Sequence, residues 1–260
     1  MTWLAPLRHH ARASHRFAEG ATVAFMGRFD DRHRLMSGNA LRAAVLGAND
    51  GLVSNFSLVM GVAGATSGGE PVLIAGIAGL LAGSLSMALG EWLSVQSSRE
   101  LYAHQIAVEA AGLETSPQDG ERKLRQIYEG KGFGVDDARR LAHRILSGDP
   151  KAALDTITRE ELGIDPTDLG GSAWTAAITS FVLFSVGAIV PLIPFLIGSG
   201  APAILLSAAL SAVALFLLGA AITLMTGQHP ILAGLRQLGF GLAAAAVTFG
   251  IGMLLRTTVV

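Results

Sequence analysis

Two neighbouring stretches decide the fold: LRAAVLGANDGLVSNFSLVMGVAGA at residues 41–65 and VLIAGIAGLLAGSLSMALGEWLSVQSS at residues 72–98. Each is long enough to cross a bilayer as a helix, which takes about 20 predominantly apolar residues. Asp50 in the first stretch and Glu91 in the second stand where a carboxylate is costly, so both are candidates for a functional site. We therefore predict two spanning helices that carry the function between them.

Polar and small residues recur at helical spacing in both stretches. Each set follows the spacing i, i+4, i+7, i+11: Asp50, Ser54, Ser57 and Gly61 in the first stretch, then Met87, Glu91, Ser94 and Ser98 in the second. Each set is therefore predicted to line one face of its helix. Because a short loop joins the helices, the two faces suggest one hydrophilic path. The residues predicted to line this path are Asn49, Ser54, Ser57 and Ser94.

The charges of the 260-residue chain are few and unevenly placed. From residue 170 to the end there is no acidic residue, and the only basic ones are Arg236 and Arg256. Such a stretch is typical of membrane-spanning chain rather than of a soluble domain. A net charge of -1 gives no sign of a nucleic-acid partner, and the absence of cysteine excludes thiolate metal sites. No phosphate loop, HExxH motif or nucleophile–base arrangement indicates an enzyme.

Three further apolar stretches occupy residues 173–197, 201–225 and 231–255. Pro191 and Pro194 fall near one end of the first of them and are predicted to kink or break that helix. Together with the two opening stretches, these predict an all-α fold: a five-span helical membrane protein.

Residues 99–168 have a different composition, with ten basic and fourteen acidic residues. No helix breaker separates them from the second span, so that helix is predicted to leave the membrane and continue to about Leu113. Ser116–Pro117 and Asp149–Pro150 are typical helix starts, and Gly163 is a typical helix end. We predict a small helical domain inserted between spans two and three. The predicted parts of the chain are an amino-terminal arm at 1–40, spans one and two at 41–98, the helical domain at 99–168 and spans three to five at 169–260.

The arm at residues 1–40 is basic and contains His9, His10, His15 and His33. Histidines can bind metal, but a solvated or membrane-surface helix is the simpler interpretation. Because basic residues near span ends favour the cytoplasmic side, the arm and the helical domain are predicted to be cytoplasmic and the carboxyl end to lie outside. No organellar signal is recognisable, so a multi-pass protein of a bacterial plasma membrane is expected, with an internal compartment as the alternative.

Several motifs resemble those of the vacuolar iron transporter family. NDGLVSNFSLVMGVAGA at residues 49–65 resembles the first-helix signature of that family, and SMALGEWLSVQSSRELY at residues 86–102 resembles the end of its second helix. Three shorter segments look like family segments in the same order: KGF at 131–133, REELGID at 159–165 and VGAIVPLIPF at 186–195. The resemblance covers residues 41 to about 256, and the motifs are specific because they occur together.

This resemblance implies a homodimer of five-helix subunits that moves iron(II) out of the cytoplasm in exchange for protons. It implies a transport site at Asp50, Met87 and Glu91, which occupy the corresponding family positions. It also implies a metal-binding cytoplasmic domain, although alanines stand here at several positions where the family commonly has glutamate. The residues left for a reduced metal site in this domain are Glu100, His104, Glu109, Glu160 and Glu161.

The residue chemistry fits transport without reference to the family. Carboxylate oxygens suit iron(II) and manganese(II), and the thioether of Met87 adds a preference for softer ions. Carboxylates also bind protons, which an arriving metal ion displaces, as an antiporter requires. Counted from the span ends, Asp50 and Glu91 lie about 14 Å and about 10 Å from the same side, so they are expected to share one site.

Three functions remain open from the sequence. The first is a proton-coupled transporter of iron(II) or manganese(II), in which the metal is cargo and no cofactor is permanently bound. The second is a channel or a transporter for another cation that uses the same acids. The third is a membrane scaffold that transports nothing and whose helical domain binds a partner.

Overall fold

The computed structural model describes residues 43–66, 69–167 and 169–259 of the chain. The predicted amino-terminal arm at residues 1–40 lies outside the described residues. Within these ranges the chain forms helices joined by short connections and contains no strand, which confirms the predicted all-α class.

The described ranges contain nine α-helices. In chain order they are α1 (43–65), α2 (Gly69–Thr115), α3 (Pro117–Gly130), α4 (Val135–Leu146), α5 (Pro150–Ile157), α6 (Ala173–Ile189), α7 (Ile193–Ile197), α8 (Gly200–Thr226) and α9 (Pro230–Val259). A π-helical turn at Thr158–Leu162 extends α5, and a 3-10 turn at Val190–Leu192 joins α6 to α7.

Four segments in the described ranges are long and apolar enough to cross a membrane. They are Gly69–Thr115, Ala173–Ile197, Gly200–Leu224 and Pro230–Thr257. The protein is therefore an integral membrane protein, and four of the five predicted spans are confirmed by length and composition. The fifth, α1, is a helix that contains Asn49, Asp50 and Asn55, which make it more polar. That α1 also spans the membrane stays a prediction.

Helix α1 is packed into the centre of the helix bundle. It supplies five of the eleven residues in the largest buried cluster, namely Leu52, Phe56, Val59, Met60 and Ala63. The other six come from α2, the α6–α7 segment, α8 and α9: Val72, Leu192, Phe195, Ala203, Leu215 and Ala245. A helix enclosed by protein in this way tolerates polar residues that a lipid-facing helix does not.

Glycines allow the helices to approach α1 closely. A side chain on Gly51 would overlap the backbone of Phe184 in α6, and one on Gly64 would overlap the backbone of Phe249 in α9. On α9, Gly252 lies in the same way against the backbone of α1. Close contact of this kind supplies the van der Waals attraction that holds helices together in lipid, where the hydrophobic effect does not.

The segment Ala173–Ile197 is broken near its end, as the two prolines predict. Pro191 has no N–H to donate, and the chain passes through the 3-10 turn before α7 begins. Two polar side chains from other helices bond to carbonyls beside the break. The Nδ2 of Asn55 in α1 donates to the Ala188 carbonyl at 2.6 Å, and the Oγ of Ser207 in α8 donates to the Pro191 carbonyl at 2.7 Å. Both donors are buried.

Helix α2 continues without a break well beyond the length of one span. Its 47 residues correspond to about 70 Å at 1.5 Å per residue, against about 30 Å for the hydrocarbon core of a bilayer. The predicted continuation of the second span past Ser98 is confirmed, and the helix ends at Thr115 rather than Leu113.

Helices α3, α4 and α5 pack on the extension of α2 around a second core. Its buried residues are Leu124, Tyr128, Ala138, Ala142 and Ile157, with Leu113 of α2 packed against them. Asp149 caps α5 by accepting the Ala152 N–H at 3.1 Å, whereas Ser116 lies at the predicted cap position of α3 without a side-chain cap bond.

Candidate functional site

Asp50 lies on a face of α1 that the described residues leave open. Its side chain is exposed, and the residues one turn away in either direction, Leu46 and Ser54, are exposed as well. Leu58 continues this stripe at 38% exposure, although α1 is otherwise the most enclosed helix. The Oγ of Ser54 donates to the Asp50 backbone carbonyl and not to the carboxylate. We call this stripe the open face of α1: Leu46, Asp50, Ser54 and Leu58. Its centre is polar, and a leucine lies at each end.

A hydrogen bond fixes α1 at the residue that precedes Asp50. The Nε2 of Gln237 in α9 donates to the Oδ1 of Asn49, and both side chains are half-buried. Gly219 in α8 makes room for Gln237, since a Cβ there would lie 2.7 Å from the Gln237 Cβ. Asn49 was predicted to line the path, but its side-chain oxygen accepts a hydrogen bond from within the subunit. Gln237 was not predicted from the sequence, although it is an amide side chain in an otherwise apolar span.

Met87 and Glu91 continue the inner stripe of α2. Along this helix Gly76 packs against Val59 of α1, and Gly79 packs against Asn55 and Leu58. About two turns beyond Gly79 comes the half-buried side chain of Met87, and about three turns beyond it comes that of Glu91. Both predicted ligands are therefore partly covered by the rest of the protein.

Phe184 of α6 separates α1 from α2 at the level of the candidate site. Its ring lies against Gly83 of α2, its backbone lies against Gly51 of α1, and the residue is 3% exposed. Continuing the antiparallel register of the Asn55–Gly79 contact puts Asp50 level with Ser84. Met87 then lies about 4 Å and Glu91 about 10 Å nearer the helical domain along the helix axis. Within one subunit, the depth of Met87 in the helix bundle is therefore closer to that of Asp50 than the depth of Glu91 is.

The remaining predicted path residues differ in accessibility. Ser54 and Ser94 are exposed, and the Ser94 carbonyl accepts a bond from the Oγ of Ser98 at 2.9 Å. The Oγ of Ser57 and the Oδ1 of Asn55 are buried and have no hydrogen-bond partner within the described part of the chain. Polar atoms of this kind inside a membrane bundle are costly, so they mark positions where water or an ion is favoured.

Four of the five residues predicted as a cytoplasmic metal site have other partners. Lys123 Nζ pairs with Glu109 at 3.1 Å and with Glu161 at 2.9 Å, and Lys131 pairs with Glu160. Glu100 accepts a hydrogen bond from Gln96 at 2.7 Å, and His104 is exposed. Across the described ranges, no group of three or more His, Asp or Glu side chains is placed to hold a metal ion. The sequence analysis did not assign the two lysines.

Charge interactions also shift pKa values in the helical domain. The hydrogen bond to Glu161 raises the pKa of Lys123 above 10.5, with the bond to Glu109 acting in the same direction and burial opposing both. Burial raises the pKa of Asp165, but hydrogen bonds from Thr167 and Arg159 outweigh it and bring the pKa to about 2. Both groups are therefore charged throughout the physiological pH range.

Comparisons with known proteins place the chain among membrane transporters. The model of the VIT family matches residues 41–253. The vacuolar iron transporter of Acanthamoeba castellanii is 34% identical over 233 residues, which cover 87% of this chain and 84% of that protein. Vacuolar iron transporter 1 of Oryza sativa subsp. japonica is 30% identical over 228 residues, covering 87% and 89%. Vacuolar iron transporter 1 of Arabidopsis thaliana is 30% identical over 214 residues, covering 82% and 85%.

The family match contains every described element that carries the candidate site, from α1 to most of α9. The relatives are named as transporters, which confirms the prediction that the chain is not an enzyme. The resemblance inferred from the sequence motifs is confirmed as well: the chain belongs to the VIT family.

Proposed function

We propose that this protein moves divalent metal ions, iron(II) or manganese(II), out of the cytoplasm in exchange for protons. The observation that carries the proposal is the position of Asp50, an exposed carboxylate on the open face of a helix at the centre of a membrane bundle. The names of the relatives, all vacuolar iron transporters, support a metal ion as the cargo.

In this proposal Asp50, Met87 and Glu91 hold the ion in transit. Carboxylate and thioether donors suit iron(II) and manganese(II), with the sulfur favouring the softer ion. The ion would meet the three side chains in succession, because Glu91 lies about 10 Å from Asp50 along the helix axis. Met87 and Glu91 are both half-buried and lie one turn apart on α2, so an ion can pass from one to the other. The metal is the cargo, and the mechanism requires no bound cofactor.

Proton exchange follows from the same carboxylates. In a membrane interior of low dielectric constant a carboxylate without a cation favours its protonated form. An arriving divalent cation reverses that preference and expels the proton. When the ion leaves on the other side, protons return to the carboxylates. Metal and proton therefore compete for the same groups and move in opposite directions.

We place a second copy of the chain on the open face of α1, giving a homodimer. Asp50 and Ser54 form a polar centre that lipid would not solvate, and Leu46 and Leu58 provide apolar contacts on either side of it. The neighbouring face of α2 also exposes small residues, Ser86 and Gly90, which permit close helix contact. The ion path would then run between two subunits, with Asp50 of both copies beside it.

The proposed orientation puts the amino terminus and the helical domain in the cytoplasm. Residues 99–168 contain ten Lys and Arg side chains, whereas the connections on the opposite side contain almost none. This difference supports the orientation. The metal-binding carboxylate Glu91 then lies on the cytoplasmic side of Asp50, so ions would meet it first. The proposal places the protein in a bacterial plasma membrane, where this direction amounts to export from the cell.

Metal uptake into sealed vesicles, with the internal pH recorded, tests the proposed function. Vesicles containing the protein should take up iron(II) and manganese(II), tested beside cobalt(II) and zinc(II), while protons flow the other way. Asp50→Asn should reduce both fluxes by about a hundredfold or more, because it removes the charge that binds metal and exchanges protons. Asp119→Asn, which alters an exposed ion pair of α3, should leave both fluxes unchanged.

Each alternative gives a different result in the same vesicles. A channel would carry metal without an obligatory proton counterflow, and a scaffold would carry none. Normal metal-driven proton flux in Asp50→Asn would falsify the proposed mechanism, whatever the metal preference.

A further inference from the structure

Lys123 joins three elements of the helical domain through two carboxylates. It lies on α3, and its ammonium group contacts Glu109 on the extension of α2 at 3.1 Å and Glu161 in the π-helical turn at 2.9 Å. The three residues are far apart in the sequence and meet only because α3 packs between α2 and the end of α5. The ammonium group is the positive centre of this junction.

The carboxylate of Glu109 is largely covered by protein and is paired with a cation. Its side chain is only 12% exposed, and a carboxylate buried to that extent requires a partner. Lys123 is that partner, and both Glu109 oxygens accept from it, at 3.1 and 3.2 Å. Removal of the lysine would leave a nearly buried negative charge next to a second one.

Two carboxylates from different elements that converge on one positive centre form the arrangement that a divalent cation also uses. A metal ion that approached Glu109 and Glu161 would meet the ammonium group of Lys123 at short range and be repelled. The neighbouring acid, Glu160, is occupied in a similar way by Lys131.

We propose that Lys123 is the resident cation of the helical domain and takes the place of a metal ion between Glu109 and Glu161. The domain then keeps its fold without bound metal, and cytoplasmic metal does not alter its structure. The two carboxylates become a divalent-cation site only when the lysine is removed. This inference concerns binding by the folded chain and does not depend on whether the protein transports iron.

Manganese(II) binding by the full-length protein in detergent tests the inference. The parent protein should carry Asp50→Asn, so that the proposed transport site contributes less to the measured binding, and bound manganese(II) can be counted by electron paramagnetic resonance. Lys123→Met should bind one more manganese(II) per chain than this parent. Adding Glu109→Gln to Lys123→Met should remove the additional ion. Lys131→Met is the matched control: it frees a single carboxylate and should add no ion.

Thermal unfolding gives a second measurement on the same proteins. Lys123→Met should unfold at a lower temperature than the parent in a chelator, because Glu109 loses its partner. Manganese(II) should restore the lost stability in this variant, by mass action on the folded state, and leave the parent unchanged. If Lys123→Met does not fold, Lys123→Gln, which keeps a hydrogen-bond donor, replaces it.

Two results would overturn the inference. The first is a folded lysine variant that binds no more manganese(II) than the parent. The second result requires no lysine variant: the parent binds a manganese(II) ion, and Glu109→Gln in the parent removes it. That result would mean that a metal ion, rather than Lys123, occupies the position between Glu109 and Glu161.

Discussion

At the residue scale, the structure separates side chains that face the proposed path from side chains that hold it in shape. Asp50 has an open face, whereas Asn49 directly before it is bonded to Gln237. Helical spacing predicted one shared face for Asp50, Ser54, Ser57 and Gly61. Of these, Asp50 and Ser54 are exposed, whereas the Ser57 Oγ is buried and Gly61 lies against Thr248 of α9. Helical spacing did not predict the bond to Gln237, because that contact depends on how α9 packs against α1, almost the whole chain away.

Replacement of Gln237 by leucine tests its role in positioning Asp50. The variant loses the bond to Asn49, which we expect to cost about 1 kcal/mol of stability, the range found for hydrogen bonds between membrane helices. Metal transport should fall several-fold while the helix content is unchanged. Gln228→Leu, an exposed residue before α9, is the control and should behave as the unaltered protein.

A double variant distinguishes positioning from a separate function of Gln237. If the bond is the reason for the effect, Asn49→Leu and Gln237→Leu together should reduce transport no further than the larger single change. Fully additive losses would mean that the two side chains act independently.

Replacement of Met87 by leucine tests the preference for softer ions. The two side chains have similar volume, so packing on the inner stripe of α2 is retained. Manganese(II) transport should stay within about twofold of normal, while iron(II) and cobalt(II) transport should fall several-fold more, because only the thioether is lost. Met60→Leu, in the buried core of α1, provides the control and should leave the metal preference unaltered. Equal losses for all three metals would argue against sulfur coordination.

At the scale of the element, the sequence predicted the helices better than the contacts between them. The uninterrupted run from Ser98 onward predicted that α2 leaves the membrane, and the prolines predicted the break after Ile189. The partners of that break, Asn55 and Ser207, were not predicted, since either residue looks like an ordinary polar position in its own helix. In the same way, the pairing of Lys123 with Glu109 depends on the packing of α3, which local sequence does not specify.

Asn55→Ala tests the support of the broken helix. The change leaves the Ala188 carbonyl without the 2.6 Å bond from Asn55, and a buried acceptor left unpaired costs about 1–3 kcal/mol. The purified protein should therefore unfold at a clearly lower temperature. Ser54→Ala serves as the comparison, because that hydroxyl bonds only within its own helix and should hardly affect unfolding. Equal unfolding temperatures for both variants would show that the bond contributes nothing.

At the scale of the whole molecule, the all-α class and most of the spans were predictable because long apolar runs dominate the sequence. The family was predictable from motifs such as the one at residues 49–65. The central position of α1 was not, because the sequence predicts a spanning helix there without specifying which helices pack around it. Only the packing of α2, α6 and α9 around it explains why Asn55 is 2% exposed. The same packing leaves one face of α1 open, and that face makes a prediction about assembly.

Single cysteines test the proposed dimer, and the cysteine-free chain makes them unambiguous. Leu58→Cys, on the open face of α1, should form a cross-linked dimer in membranes treated with a short bifunctional thiol reagent. Ile178→Cys, which is 60% exposed on α6, should cross-link much less. A protein that remains monomeric at both positions would remove the second copy from the proposed ion path.

The uninterrupted length of α2 has a mechanical consequence. From Glu91 to Thr115 the helix runs on for about 36 Å, with no break at which bending could be absorbed. One continuous helix therefore connects the candidate site at Glu91 to α3, α4 and α5, and any tilt at Glu91 is transmitted to them. A tilt of about 10° at Glu91 would carry Thr115 roughly 6 Å sideways. A small reorientation in the bilayer thus becomes a large displacement of the helical domain, which a pair of fluorophores or spin labels can follow while an ion passes.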